Sequence, residues 1–511
     1  MGDRWRRRGL AVAAGLSMAL ALPGPGLVPL VLAVPGLLRR ALAGRRGWGA
    51  VRTGWLAGFA QWAAAVPWVV IVLHRYGHTP LPLAVAAWLA MAAILGATWA
   101  LAAWLASRGP ERWLPWSLPL ALAAAEVLQG WPPWHFPWNP VAAAATGWPW
   151  LLAPVATVGS AGLSLLLLAA GGGLDALLEP PLRRAGAVQI GVVMLGWVAA
   201  VALASPFVPV GEPVRVAAIQ PNVPLEERWD GASRQSIEER VFALSREGVA
   251  AGATWVVWPE SAVPRIVERD GPYRVRLESF ARRDGVWLTV GSIGFGEGDS
   301  YTNAVHTFSP AGLVPFRYDK IHLVPFGEYV PILGRIAFLR PLVREVGAFT
   351  PGHDPAPVPG PSGPVGIEVC YEVAFPSLAA DQVRGGAGVL VTITNDGWYG
   401  DSAAPRQHLA LAQLRAAETR RYLVRAANTG ISAIVDPWGR TVKRLGMGKV
   451  GIVVSDVTAG GGITPAVALG GRLRLAIVAA ALGGILAAAW ARRTSPLPQG
   501  DGAGQPGRRD A

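Results

Sequence analysis

Cysteine is almost absent from this chain: Cys370 is the only one in 511 residues. A single thiol excludes an internal disulfide. Lysine is nearly as scarce. Lys320, Lys443 and Lys449 are the whole supply, so the net charge of +13 rests on arginine. Charged residues make up only 15% of the chain, against about a quarter in an average soluble domain. That scarcity excludes an ordinary soluble enzyme. No histidine and cysteine cluster has metal-ligand spacing; His306, His322, His353 and His408 are scattered. No phosphate-cradling loop is present either, because the glycine-rich GSIGFGEG (291–298) does not open a helix.

Apolar residues are plentiful: 52% of the chain, with 23 Trp. Apolar runs fall at about 10–22, 26–38, 53–73, 81–106, 115–130, 150–170, 186–204 and 473–491. The first two are short and are separated by Pro23, Gly24, Pro25 and Gly26. Arginine clusters (Arg4–Arg8, Arg39–Arg52, Arg108 and Arg112, Arg183 and Arg184, Arg492 and Arg493) lie at alternate ends of successive runs. About eight crossings place every cluster on the cytoplasmic side, as the positive-inside rule asks. The basic charge therefore reads as topology facing anionic lipid, with no nucleic-acid partner. The start resembles a signal peptide, but no small-residue cleavage site stands out before Pro23, so an uncleaved first span is expected. The Trp-rich stretch 131–150 reads as an interfacial aromatic belt or as a wall of a lipid-facing site.

From Val214 the pattern changes. Short β-rich runs (214–220, 254–260, 286–292, 303–308, 363–369, 388–395, 431–436, 451–457) alternate with helix-like stretches at 233–248 and 407–421. Wholly apolar strands imply sheets covered on both faces, hence a layered α/β domain. The expected organisation is a transmembrane domain over 1–208, an outer globular domain over 209–465, a last span over 466–494 and a disordered tail over 495–511.

Three residues in the globular half stand where strands meet loops: Glu260 in WPES, Lys320 in RYDK and Cys370 in VCYE. Singly, each has a plain structural role: a capping carboxylate, a solvated amine, a core thiol. Together they make an acyl-transfer set, in which the carboxylate takes the thiol proton, the thiolate attacks a carbonyl and the ammonium steadies the oxyanion. The stretch Val330–Phe349 is unusually apolar for a connection between such residues, and reads as a buried helix or a lipid-dipping arm.

The order WPES, YDKIHLVPFGEYVP and CYE resembles the nitrilase, or carbon–nitrogen hydrolase, superfamily. The flanking spans, with PFGEYVP and TNDGWYG, narrow the resemblance to the apolipoprotein N-acyltransferase family of bacterial envelopes, over about residues 10–491. The resemblance implies a nitrilase-like αββα sandwich facing the periplasm from the inner membrane. It implies acyl transfer from a phospholipid to the N-terminal amine of a diacylglyceryl-cysteine apolipoprotein, without cofactor or metal. Residue by residue, Glu260 matches the general base, Lys320 the oxyanion-stabilising lysine and Cys370 the nucleophile. Glu328 matches a second glutamate, Tyr371 and Glu372 follow the nucleophile, and Trp229 matches a tryptophan near the substrate entrance. A monomer is expected. The rival activity is a membrane-tethered amidase or nitrilase using the same triad with water as acceptor. A rival from another class is a transporter or polytopic scaffold whose outer domain is inert.

Overall fold

A computed structural model describes residues 2–132, 135–228, 232–296, 300–325, 327–329 and 349–494. The first nine helices are α1 (Gly2–Ala21), α2 (Leu30–Leu42), α3 (Trp48–Ala65), α4 (Trp68–Ile71), α5 (Leu81–Ala106), α6 (Leu114–Gln129), α7 (Pro149–Leu152), α8 (Val155–Leu177) and α9 (Arg183–Ala202). Among the described residues, three stretches are long and apolar enough to cross a membrane: Leu81–Ala106, Val155–Leu177 and Pro180–Ala202. A fourth arises if α3 and the helix Trp68–Tyr76, bent by 54° at Val66 and Pro67, count as one span. This corrects the expected eight, and the reasons are local. The first turns of α1 carry Arg4, Arg6, Arg7 and Arg8. At 1.5 Å per residue, the 13 residues of α2 reach about 20 Å and the 16 of α6 about 24 Å, short of a hydrocarbon core of about 30 Å. Hydropathy alone cannot separate such helices from spans, because both are apolar. Within the bundle α8 is mostly buried, while α5 and α9 turn most of their apolar surface outward.

The globular half follows. In chain order it holds β1 (Val208–Gln220), α10 (Leu225–Arg228), α11 (Arg234–Ala250), β2 (Trp255–Val257), α12 (Gly271–Asp284), β3 (Trp287–Phe295), β4 (Tyr301–Ser309), β5 (Gly312–Asp319), β6 (Val358–Gly360) and β7 (Gly363–Val369). Then come α13 (Pro376–Arg384), β8 (Val389–Thr394), α14 (Ala404–Thr419), β9 (Tyr422–Ala427), β10 (Ser432–Val435), β11 (Thr441–Leu445), β12 (Gly451–Gly461), α15 (Pro465–Leu469) and α16 (Gly471–Thr494). The strands form two six-stranded sheets, β12-β1-β2-β3-β4-β5 and β11-β10-β9-β8-β7-β6. Val216, Val257 and Val305 of the first sheet share one core with Ile367, Val369, Val391 and Ile393 of the second. Helices α11 and α12 cover the outer face of the first sheet, through Val241, Phe242, Leu277 and Phe280. Helices α13 and α14 cover the second, so the layers run helix, sheet, sheet, helix. Residues of β7 and β8 are buried on both faces because alternate side chains meet different layers. Val391 faces the opposite sheet, whereas Leu390 faces the helices.

The layer under the second sheet does not end at α14. Leu409, Leu411 and Leu414 pack into the same apolar cluster as Met18, Trp62, Leu95 and Leu163 of the bundle. The long helix α16 returns against α6 and α8, with Ile477 and Ala481 against Ala124, Val127 and Ala161. The expected lipid-dipping arm is outside the described residues over 330–348, as are Trp229 and the tail from 495.

Candidate active site

Glu260 follows β2, Lys320 follows β5 and Cys370 follows β7, and the two sheets bring these strand ends together. Lys320 is 1% exposed, and its Nζ lies 3.9 Å from Glu260 Oε1. Its tighter partner is Glu328, at 2.8 and 2.9 Å from the two carboxylate oxygens. Asn303, on β4, ties the pair together. Its Nδ2 donates to Glu260 Oε1 at 2.6 Å and to Glu328 Oε1 at 3.1 Å. Its carbonyl accepts from the Lys320 N–H at 2.9 Å. The other Glu260 oxygen accepts from the Asn395 N–H at 3.1 Å. Burial alone would strip the proton from a lysine. Here the charges of Glu328 and Glu260 outweigh it and raise the Lys320 pKa, so the ammonium is fixed.

Cys370 opens a 3-10 turn, Cys370–Ala374, with φ of +55°. Left-handed backbone is costly for a residue with a Cβ, and held strain of this kind clusters at functional sites. The turn swings the thiol out of the strand direction toward Glu260 and Lys320, whose charges both act on it. Burial pushes the thiol up to about 12, with Glu260 adding to the rise and Lys320 and a hydrogen bond to Thr394 opposing it.

The candidates expected beside the nucleophile have distinct places. Glu372 is fully buried and acts as a clamp. One carboxylate oxygen accepts from the backbone N–H groups of Ile321 (2.7 Å) and His322 (3.0 Å), the other from Val369 N–H (2.7 Å), and Tyr318 Oη donates at 2.9 Å. It thus ties the Lys320 loop to the Cys370 turn. Burial pushes its pKa up to about 7 against those donors. The Tyr371 hydroxyl donates to the His135 carbonyl at 2.8 Å. Its ring stacks on Phe136 and Trp138. Trp138 is buried beneath the turn, whereas Trp148 and Trp150 are exposed, so the Trp-rich stretch has two environments.

Sequence reasoning did not single out Asn303, Asn395, His408, Asp396 or Arg425. His408, on α14, lies between Asp396 Oδ1 (2.9 Å) and the Cys370 carbonyl (2.9 Å). Arg425 reaches Asp396 Oδ2 at 2.7 Å. Among the described residues no group of three or more His, Cys, Asp or Glu could hold a metal ion. What the site can do is covalent acyl chemistry: a carboxylate, a fixed cation and a thiol share one buried corner.

Residues 215–462 match the carbon–nitrogen hydrolase family, and residues 14–173 match the N-terminal domain of apolipoprotein N-acyltransferase. The apolipoprotein N-acyltransferase of Geobacter metallireducens is 35% identical over 443 residues, covering 84% of this chain and 85% of that one. That of Azotobacter vinelandii is 35% identical over 489 residues, covering 90% and 91%. Among solved structures, an amidase from Nesterenkonia of the nitrilase superfamily aligns with 49% of this chain and 93% of its own, at 24% identity and a TM-score of 0.38.

Proposed function

From the premise that the chain belongs to the apolipoprotein N-acyltransferase family, and is an enzyme that N-acylates lipoproteins, we propose that Cys370 carries the acyl group as a thioester. Glu260 accepts the thiol proton, and the thiolate attacks the ester carbonyl of a phospholipid. The oxyanion forms against Lys320 Nζ and the backbone N–H of Tyr371. When the ester C–O bond breaks, Glu260 returns the proton to the leaving alkoxide, and a lysophospholipid departs. The α-amine of a diacylglyceryl-cysteine then attacks the thioester. Glu260 takes the amine proton, the C–S bond breaks and the thiolate is reprotonated. Glu328 holds Lys320 in line.

The observation that carries this reading is the buried Glu260–Lys320–Cys370 corner, set on a core continuous with the helical bundle. Water competes with an amine for a thioester, and burial limits water. The test is intact-mass measurement of the enzyme incubated with phospholipid and no acceptor. An acyl chain on Cys370 is expected; an unmodified Cys370 in active enzyme overturns the proposal. The amidase reading is not favoured, because the transferase relatives match nearly the whole chain, bundle included.

We further propose that the globular half faces outward from the inner membrane. Arg39 and Arg40 pair with Asp175 and Glu179 at one end of the bundle, and Arg45 bonds Thr53 there. At the other end Ala65, Trp68 and Trp138 bond Gln407 of α14. All the arginines of the first end then lie inside, with the thiol on the opposite side.

A further inference from the structure

His408 is fully buried and has no part in the proton transfers above. Its Nε2 lies 2.9 Å from the Cys370 carbonyl. A carbonyl only accepts, so Nε2 carries the proton. Nδ1 lies 2.9 Å from Asp396 Oδ1 and 3.1 Å from an Arg425 nitrogen. It accepts from Arg425 in the neutral ring and donates to Asp396 in the charged one. Burial and the guanidinium lower the imidazole pKa, and Asp396 opposes them. The ring is fixed from every side. Asp396 is held in turn by Arg425 and by the Thr394 hydroxyl at 3.0 Å, and Arg425 Nε donates to the Ile431 carbonyl at 3.1 Å.

What His408 grips is one end of a rigid plane. In a trans peptide the C=O and the N–H of the next residue point in opposite directions. The Cys370 carbonyl aimed at His408 therefore aims the Tyr371 N–H away from it. At Cys370 the backbone has φ of +55°, a costly conformation for a residue with a Cβ. A turn of that plane would withdraw the Tyr371 N–H and present a carbonyl oxygen to the incoming acyl group.

We propose that His408 is a positioning residue: by holding the Cys370 carbonyl it fixes the Cys370–Tyr371 peptide, and so keeps the Tyr371 N–H aimed at the acyl oxygen. Asp396 and Arg425 keep the ring in place. The inference rests on the reading of Cys370 as the acyl carrier.

Two substitutions separate the two sides of the ring. In His408→Asn the amide sits near the place of Nδ1, keeping a polar partner for Asp396 and losing reach to Cys370. In His408→Gln the amide nitrogen sits near the place of Nε2 and still donates to the carbonyl. Two rates are read on full-length enzyme in detergent: single-turnover acylation of Cys370 by phospholipid, and alkylation of Cys370 by iodoacetamide. Alkylation needs the thiolate but forms no oxyanion. Loss of one oxyanion donor costs about 100-fold or more, so His408→Asn should acylate that much more slowly while alkylating within about threefold of wild type. His408→Gln should recover at least about tenfold of the lost acylation. A merely structural role lowers both rates together. The proposal is overturned if His408→Asn acylates at the wild-type rate, if alkylation falls as far as acylation, or if Gln is no better than Asn. Full transferase activity in Cys370→Ala would instead remove the thiol reading itself, and this inference with it.

Discussion

A thiol pushed up to about 12 is almost wholly protonated at neutral pH, so the resting enzyme does not hold a thiolate. Raising the pH through the ordinary thiol range near 9 should therefore leave it mostly protonated. Iodoacetamide should modify Cys370 with a rate that climbs about tenfold per pH unit past pH 9 without levelling. The neighbours act with opposite signs: Glu260 raises the thiol pKa and Lys320 lowers it. Glu260→Gln should hence alkylate faster than wild type at pH 8 while losing acyl transfer, and Lys320→Met should alkylate more slowly. Equal alkylation in the two variants would contradict this arrangement of charges. Glu260, Lys320 and Cys370, which the structure brings together, were legible in the sequence because each is a scarce or conspicuous type at a strand end. Their supports were not. His408 finds Asp396 12 positions away, Arg425 17 and Cys370 38, spacings with no helical or strand period. Only the closing of the second sheet brings them together.

Among the elements, α8 is the informative one. Its Gly159 has φ of +65° and ψ of 177°, which breaks the helix near the globular half. The broken end is capped from the other half: Glu418 of α14 accepts from the Ser160 N–H at 2.5 Å. The same carboxylate pairs with buried Arg415 at 2.8 Å. A Cβ at Gly159 would meet no clash, only Glu418 Oε1 at 3.8 Å, so Gly159→Ala isolates the backbone term. It should destabilise by about 1–2 kcal/mol. Glu418→Ala leaves a buried guanidinium and a helix N–H unpartnered, and should destabilise more, by about 3–5 kcal/mol. Thermal unfolding in detergent checks the ranking; a larger loss from Gly159→Ala would mean the cap is unimportant. This break was invisible in the sequence, where the run 150–170 reads as continuous. Apolar strands such as β7 and β8 were readable because both faces are buried. β9 and β11 were missed for opposite reasons: β9 puts Arg425 into a buried network, and β11 is a half-exposed edge rich in basic residues.

On the scale of the whole molecule, the proposed orientation can be read by labelling. With Cys370→Ala as background, Ala311→Cys lies on the exposed β4–β5 turn and Arg46→Cys at the arginine-rich end. A membrane-impermeant maleimide added to spheroplasts should label the first and reach the second only after permeabilisation. The reverse pattern would turn the molecule over. The number of crossings was the poorest reading from sequence, because a short helix packed within protein is as apolar as a span facing lipid.

The apolar cluster that runs from Met18 through Trp62 and Leu163 to Leu409 and Tyr371 joins the helical bundle to the second sheet's helix layer in one packed core. No hinge can therefore open along that seam without wetting an oily floor on either side. The Glu260–Lys320–Cys370 corner and its anchor should therefore unfold in one transition, and a detergent that loosens the helices should disturb that corner with them.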